Sequence, residues 1–231
     1  MLINNIDIKN FNTILTFKDI QTAEVVTYQD WLRNSFDPVI HGQKETYTPV
    51  KIKLLVEGNT EEETLILISN IVSISKKSTI KFDDIKWYFD CTLESKNSTQ
   101  IANKHYELEL NFKSSFKYTD EVTEAINRIA TKTINVAGNL KTPCVVEITP
   151  TIDIIDITLE GLADDPIIIR NLKGGKTVIL DGELQKVTVD GINKFSDVDL
   201  WDFPKLIPGS NTLKFSRNNC DIKIKYKPRW I

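Results

Sequence analysis

Apolar and polar positions alternate strictly close to the end of the chain. One set of alternate positions is apolar: Ile222, Ile224 and Tyr226. The positions between and after them are lysines: Lys223, Lys225 and Lys227. A period of two predicts a β-strand with one buried face and one solvent-facing face. A strand in this position predicts that the chain end is held in a sheet.

Short alternating runs fill residues 142–231, and turn residues separate them. The predicted strands are Cys144–Ile148, Ile154–Leu159, Ile167–Leu172, Lys176–Leu180, Lys186–Val189, Thr212–Phe215 and Asp221–Tyr226. Asp181-Gly182 and Asp190-Gly191 favour tight hairpins, because both central residues of such turns need positive φ. Regularly spaced short strands predict a C-terminal β-sandwich or jelly roll.

The first half of the chain has the pattern of strands with one helix. Thr60 and Glu63 fit a capping box, with Thr60 as N-cap and Glu63 at the third helical position. Apolar or small residues then recur at helical spacing, namely Leu65, Ile68, Ile71, Val72 and Ser75. This narrow stripe predicts a helix over about residues 60–77 that lies on the face of a sheet.

Further patterns complete the predicted domain organisation. The polar segment Glu94–Lys104 is interpreted as an exposed hairpin loop, and Thr119–Ile129 as a second short helix. We therefore expect a mainly β protein. Residues 1–130 form a sandwich-like or barrel-like domain with one flanking helix, residues 131–141 form a linker, and residues 142–231 form the second domain.

Composition excludes several classes of protein. The formal net charge is −3 and neither half is basic, which argues against a specific nucleic-acid partner. No apolar run approaches the roughly 18 residues that cross a membrane, and the polar start predicts no signal peptide. Three scattered cysteines, Cys91, Cys144 and Cys220, are expected to be reduced and mostly buried. We expect synthesis in a cytoplasm and no membrane insertion.

Catalytic and metal-binding signals are weak. Cys91 and His105 could form a nucleophile pair, but a buried cysteine and a surface histidine are the favoured interpretation. Lys173-Gly174-Gly175-Lys176-Thr177 ends like a phosphate-binding loop, yet the required earlier glycine is replaced by Arg170, so a hairpin turn is predicted. No catalytic residue, cofactor or metal site is predicted, and the chain is expected not to be an enzyme.

Three aromatic residues are candidates for stacking on a sugar ring: Trp201, Tyr226 and Trp230. Sandwich domains that bind glycans use solvent-facing aromatic rings in this way. The alternative for Trp201, which lies between Leu200 and Phe203, is that it closes one end of the sandwich as part of the core.

The C-terminal region resembles the distal tail protein (Dit) family of siphophages that infect Gram-positive bacteria. The resemblance covers residues 140–231, whereas the first half matches only in the layout of its elements. The stretches that carry it are 179–183 (ILDGE), 189–194 (VDGINK), 199–204 (DLWDFP), 206–212 (LIPGSNT) and 223–230 (KIKYKPRW).

This resemblance implies a structural component of a phage or prophage tail tip or baseplate. The N-terminal belt domains would form a hexameric ring that continues the tail tube, and C-terminal domains similar to galectins or carbohydrate-binding modules would lie outside it. The implied partners are other copies of the chain, the tail tube protein, the tail-tip protein or tail-associated lysin, and receptor-binding proteins. The implied location is the virion tail tip.

Other functions are kept as alternatives. One is a glycan-binding module that attaches a phage or phage-like particle to cell-wall polysaccharide, and another is an enzyme acting on the cell wall. For the ring, the expected subunit contacts are the Glu94–Lys104 hairpin and the N-terminal strand Leu2–Ile8, since both are predicted edges. Deletion of Lys96–Ala102 is expected to abolish oligomers.

Overall fold

The computed structural model describes residues 1–231 and divides into two compact units, Met1–Tyr118 and Thr119–Trp230. Each unit has its own hydrophobic core, and the two sets of core residues do not overlap. The prediction of a mainly β protein whose first domain has one flanking α-helix is confirmed.

The first unit contains nine strands, one α-helix and one short 3-10 helix. These are β1 (Leu2–Ile3), β2 (Ile6–Asp7), the 3-10 helix (Ile8–Phe11), β3 (Thr13–Ile20), β4 (Val25–Asp30), β5 (Val39–Glu45), β6 (Thr48–Glu57), α1 (Glu61–Ser75), β7 (Lys77–Lys81), β8 (Tyr88–Ala102) and β9 (His105–Tyr118).

Antiparallel pairing joins most of these strands in the order β2-β1-β7-β8-β9-β6-β3. The sheet does not close on itself, because β2 and β3 do not pair with each other. The barrel-like arrangement expected from sequence therefore has two edge strands, β2 and β3. Side chains of β6 alternate between buried and partly exposed along its length, which gives the sheet one core face. The largest fully buried side chains of this unit's core include Phe82, Phe89 and Phe112.

Helix α1 begins with Thr60 as its N-cap, as predicted, although the second bond of the capping box goes to the residue before the N-cap. The Thr60 side chain accepts a hydrogen bond from the Glu63 amide at 3.1 Å, and the Glu63 carboxylate accepts one from the Asn59 amide at 2.7 Å. The buried face carries Thr64, Ile68, Ile71, Val72 and Ser75. The assignment of Leu65 to this face was wrong. Its side chain is exposed, because Thr64 takes the inward place and donates a hydrogen bond to the Lys104 carbonyl at 3.0 Å.

The segment Glu94–Lys104 is an exposed hairpin but not a loop. Residues up to Ala102 continue β8, and only Asn103 and Lys104 form the turn before β9. Lys104 has a φ of 63°, as a tight turn requires. Polar composition misled the interpretation, because this part of β8 is exposed and lacks the apolar alternation by which strands are recognised.

A second, two-stranded sheet was not predicted. Strands β4 and β5 pair only with each other and stand apart from the other sheets. The two strands continue the β3–β6 hairpin, since the Glu24 amide donates to the Tyr47 carbonyl at 2.9 Å and the Thr46 amide donates to the Glu24 carbonyl at 2.8 Å. We call residues 25–45 the ribbon.

The second unit consists of strands and one 3-10 helix. These are β10 (Val122–Asn127), β11 (Thr131–Val136), β12 (Thr142–Pro150), β13 (Ile154–Glu160), β14 (Ile167–Leu172), β15 (Val178–Asp181), β16 (Lys186–Val189), β17 (Ile192–Asn193), the 3-10 helix (Phe195–Asp197), β18 (Val198–Asp199), β19 (Lys205–Leu206), β20 (Gly209–Phe215), β21 (Cys220–Tyr226) and β22 (Arg229–Trp230).

Two antiparallel sheets form this unit. One has the order β10-β21-β12-β15-β16-β17, with β19 also paired to β12, and the other has the order β11-β20-β13-β14-β18. Buried residues of both sheets form one core, for example Val146 and Ile224 of the first sheet and Ile157 and Leu213 of the second. The predicted C-terminal β-sandwich is therefore present.

The structure moves the boundary between the two domains. Residues 119–129 were predicted as a helix and residues 131–141 as a linker, but β10 pairs with β21 and β11 pairs with β20. Both strands therefore belong to the second unit, which starts at Thr119. Val122 and Ile126 are four residues apart, a spacing that fits both a helix face and alternate positions of a strand.

Two turn predictions also differ from the structure. Asp190-Gly191 forms the two-residue turn, with φ of 51° and 79°. The Asp181-Gly182 hairpin instead uses a longer turn, in which the Asp181 carboxylate accepts hydrogen bonds from the Glu183 and Leu184 amides at 2.9 and 2.8 Å. Residues 173–177 form a turn, but it connects β14 and β15 of different sheets and is not a hairpin.

Candidate assembly surfaces and carbohydrate-stacking positions

The distal half of the β8–β9 hairpin has an open edge. Strand β7 pairs with β8 only as far as Thr92, so residues 93–102 have β9 as their one neighbouring strand. Nearly all of these residues are exposed, and Ile101 adds one exposed apolar side chain. An open strand edge offers unpaired backbone donors and acceptors to another chain.

The outer strands of the first unit's sheet give two further edges. Edge strand β3 exposes the apolar side chains of Ile14 and Phe17. Strand β2 exposes one large apolar side chain, that of Ile6. The N-terminal strand is firmly anchored, because Ile3 and Ile8 are buried and the Met1 ammonium donates to the Asp83 carboxylate at 2.8 Å. This hydrogen bond and ion pair hold the pKa of Asp83 below its usual value.

The face of this sheet opposite the core carries paired charges. Lys51 lies 2.8 Å from Glu109, and Lys53 lies 2.9 Å from Glu107. The hydrogen bond from Lys53 to Glu107 raises the pKa of Lys53, and the one from Lys51 lowers the pKa of Glu109. Since acidic and basic groups alternate here, the face lacks the positive surface of a nucleic-acid binder.

The ribbon carries the densest group of exposed apolar side chains. They are Val25, Val26, Tyr28, Trp31, Leu32, Phe36, Val39 and Ile40. Phe36 is 97% exposed, so almost none of its ring contacts the protein. So many exposed apolar side chains in one short segment are typical of an interaction site.

The three aromatic residues predicted to stack on sugar do not form a common platform. Trp201 is 88% exposed, so the alternative that it closes the sandwich core was wrong. Tyr226 is only 5% exposed, and burial raises the pKa of its hydroxyl. Its apolar neighbours in the core exclude a sugar, which corrects the inclusion of Tyr226 among the glycan-stacking residues. Trp230 is half-buried in β22.

The possible nucleophile pair is not assembled. Cys91 is buried opposite Ser114, and burial raises the pKa of its thiol to about 12. His105 lies at the far end of the same hairpin, opposite Ala102, with its Nε2 3.3 Å from the Glu57 carboxylate. All three cysteines are free and buried, as predicted. His41 lies on the ribbon, 2.8 Å from the Asp30 carboxylate, and contacts neither Cys91 nor His105.

One cavity of about 300 Å³ lies at the turns of the second unit. Its floor is aliphatic, with Leu172, Val178, Val189 and Ile192, and its rim carries three lysines. Each lysine already has a carboxylate partner within 2.8 Å: Lys173 with Asp153, Lys176 with Asp190, and Lys194 with Asp197. The lysines lower the pKa of Asp153 and of Asp197, so these charges stabilise turns.

No group of three His, Cys, Asp or Glu side chains has the arrangement that would hold a metal ion. No helix has both the length and the apolar character needed to cross a membrane. The most prominent surfaces of the first unit are thus strand edges and the exposed ribbon, which are suited to contacts with protein chains.

Comparison with known protein families identifies the second unit. Residues 137–230 match the family described as siphovirus-type tail component, C-terminal domain (SPP1_Dit). A search of curated proteins found no match.

Solved structures resemble the whole chain. The crystal structure of SPP1 Dit, described as a paradigm of the hub adsorption apparatus of phages that infect Gram-positive bacteria, matches with a TM-score of 0.82 and 12% identity. This match covers 100% of the present chain and 98% of SPP1 Dit. A chain of the phage P2 baseplate in its activated conformation with Ca matches at a TM-score of 0.59 and 13% identity, covering 96% of the present chain and 92% of that chain. At such identities the likeness shows a shared fold.

The ribbon is the surface that sequence reasoning missed. Its apolar residues were visible, but they follow neither the strand nor the helix period over a useful length. A stretch with three aromatic residues, Tyr28, Trp31 and Phe36, among polar neighbours was the one available signal.

Proposed function

We propose that this chain is a structural hub of a phage tail tip or baseplate, because its residues 137–230 match the siphovirus-type tail component (Dit) family. The observation that carries the proposal is the joint occurrence of that family's domain in the second unit and a Dit-like fold over the full chain. Such a role depends on contacts between chains and requires no reaction centre.

The proposed assembly is a hexameric ring. A heterologous contact between identical subunits closes into a ring when the rotation that relates neighbouring subunits is a whole-number fraction of a full turn. The first unit supports this arrangement, because it has an open edge at β3 and another along residues 93–102 of β8. The partners of the ring would be the tail tube protein on one side and tail-tip, lysin or receptor-binding proteins on the other, at the virion tail tip after synthesis in the host cytoplasm.

The comparisons favour this structural role over the glycan-binding module considered from sequence. Burial of Tyr226 weakens that module further, because it removes one of its three stacking rings. Trp201 remains exposed, and an exposed tryptophan also suits a contact with a neighbouring tail protein.

The oligomeric state of the purified protein tests the proposal. We expect a particle of six times the 26.4 kDa chain mass by size-exclusion chromatography with light scattering, and closed rings in negative-stain images. The double variant Ser98→Lys and Gln100→Lys should form smaller species than the ring, because charge on an open strand edge opposes pairing with another chain. This double substitution keeps the β8–β9 pairing, which deletion of Lys96–Ala102 would remove.

A matched control places one lysine at Ile155, an exposed residue of the second unit. The Ile155→Lys protein should keep the mass of the unaltered protein. Two results would contradict the proposed ring. One is the formation of open filaments, and the other is an unaltered protein that stays monomeric both alone and when mixed with the tail tube protein.

A further inference from the structure

The ribbon extends the first unit by a two-stranded arm. Strand β4 has six residues and β5 has seven, which at about 3.3 Å per residue gives an arm roughly 20 Å long. Its strands pair with each other and with no third strand. A lone two-stranded hairpin is marginally stable in water, so an ordered arm needs a covering surface.

The interactions within the ribbon are too weak to replace that cover. The His41 Nε2 atom lies 2.8 Å from the Asp30 carboxylate, and the Gln43 side chain donates to the Thr27 hydroxyl at 3.2 Å. Both contacts are exposed, and exposed pairs contribute between about 0 and 1 kcal/mol. The other hydrogen bonds of the ribbon are those of the ladder between β4 and β5 and short-range bonds in the connecting turn, where the Ser35 amide donates to the Leu32 carbonyl at 3.0 Å and the Asp37 amide donates to the Ser35 hydroxyl at 3.3 Å.

The apolar surface of the ribbon is large enough for the centre of a subunit interface. Tyr28, Trp31 and Phe36 are more than half exposed, and aromatic side chains bury about 150–250 Å² each. Three such rings would therefore bury roughly 300–500 Å² on docking, to which the aliphatic residues add. A standard interface buries about 800 Å² per partner.

A second copy of the chain has a surface of matching chemistry. Strand β3 ends the sheet of the first unit and exposes Ile14 and Phe17 beside an unpaired backbone edge. One subunit thus carries both an apolar arm without cover and an apolar edge without a partner strand. These are two different surfaces, so docking one onto the other is a heterologous contact, which is the type that builds rings.

We propose that the ribbon of one subunit docks, through Trp31, Leu32 and Phe36, onto the β3 edge of a second copy. This inference rests on the proposed ring. It assigns the main apolar contact of that ring to the ribbon, which is not among the contact segments predicted from the sequence, Glu94–Lys104 and Leu2–Ile8. Other tail proteins are the alternative occupants of the ribbon.

Photo-crosslinking from the tip of the ribbon tests the proposal. Phe36 is replaced by p-benzoyl-phenylalanine in a mixture of unlabelled and ¹⁵N-labelled chains, and the linked peptides are identified by mass spectrometry. Peptides that pair the two isotopes report contacts between subunits. We expect these to join position 36 to residues 13–20 of another copy.

The matched control carries the same photo-reactive residue at Ile155, which is also exposed but lies in the second unit. It should give at least tenfold fewer links between copies. Rings that form without inter-copy links from position 36 would overturn this inference and leave the proposed ring intact. The absence of both rings and links would overturn both.

Substitution supplies an independent measurement. The double variant Trp31→Ser and Phe36→Ser should keep the thermal midpoint of the isolated chain, since both side chains are exposed. It should weaken self-association at least tenfold in analytical ultracentrifugation. A self-association constant equal to that of the unaltered protein would overturn the proposed docking.

Discussion

At the residue scale, local chemistry fixes several backbone conformations. Thr60 and Glu63 could be assigned to the start of α1 from their spacing alone, because a capping box uses only neighbouring residues. Asp190-Gly191 was predictable for the same reason. The need for a glycine at position 182 was not predictable, since it arises from segments that are distant in the sequence. A Cβ atom there would lie 2.1 Å from the Pro204 carbonyl oxygen and 2.8 Å from the Cys144 carbonyl oxygen.

We predict that Gly182→Ala destabilises the second unit by about 1–3 kcal/mol, because backbone atoms on both sides must move. The measurement is urea unfolding followed by circular dichroism. Gly42→Ala is the control, since a Cβ atom at Gly42 meets nothing within 4 Å and its φ is not positive. That variant should stay within about 0.5 kcal/mol of the unaltered protein. Equal unfolding midpoints for the two variants would refute the close approach at Gly182.

At the element scale, periodicity predicts an element well where one of its faces is buried. The strands of the second unit alternate cleanly, and so their existence could be predicted. The distal part of β8 is exposed and polar, which removes the signal although the backbone pairing persists. In α1 the period was correct but Leu65 was placed inward, because an apolar residue was preferred to Thr64.

The packing of α1 on the sheet gives a second prediction. Ile71 is fully buried, so Ile71→Ala should cost the first unit about 2–5 kcal/mol through lost burial and a residual cavity. Ile66 lies on the same helix with about half of its side chain exposed, and Ile66→Ala should change stability by about 0.5 kcal/mol or less. Chemical denaturation of both variants measures the difference. Similar losses would show that α1 does not pack through the Ile71 face.

At the scale of the whole molecule, residues 140–231 were sufficient to indicate the family, and the match over residues 137–230 confirms it. The domain boundary could not be read correctly, because β10 and β11 are short and largely exposed and join the sandwich only through distant partners, β21 and β20. Assembly surfaces are equally hard to recognise, since an interface residue has no partner within its own chain.

The central claim is that this chain forms a hub at the end of a tail tube. The most direct measurement is electron microscopy of the purified protein mixed with tubes of the tail protein from the same phage, with a gold label on the second unit. We predict one labelled ring at one end of each tube and no label along the walls. Label spread along the tubes, or tube ends that stay bare while rings are in excess, would contradict the account.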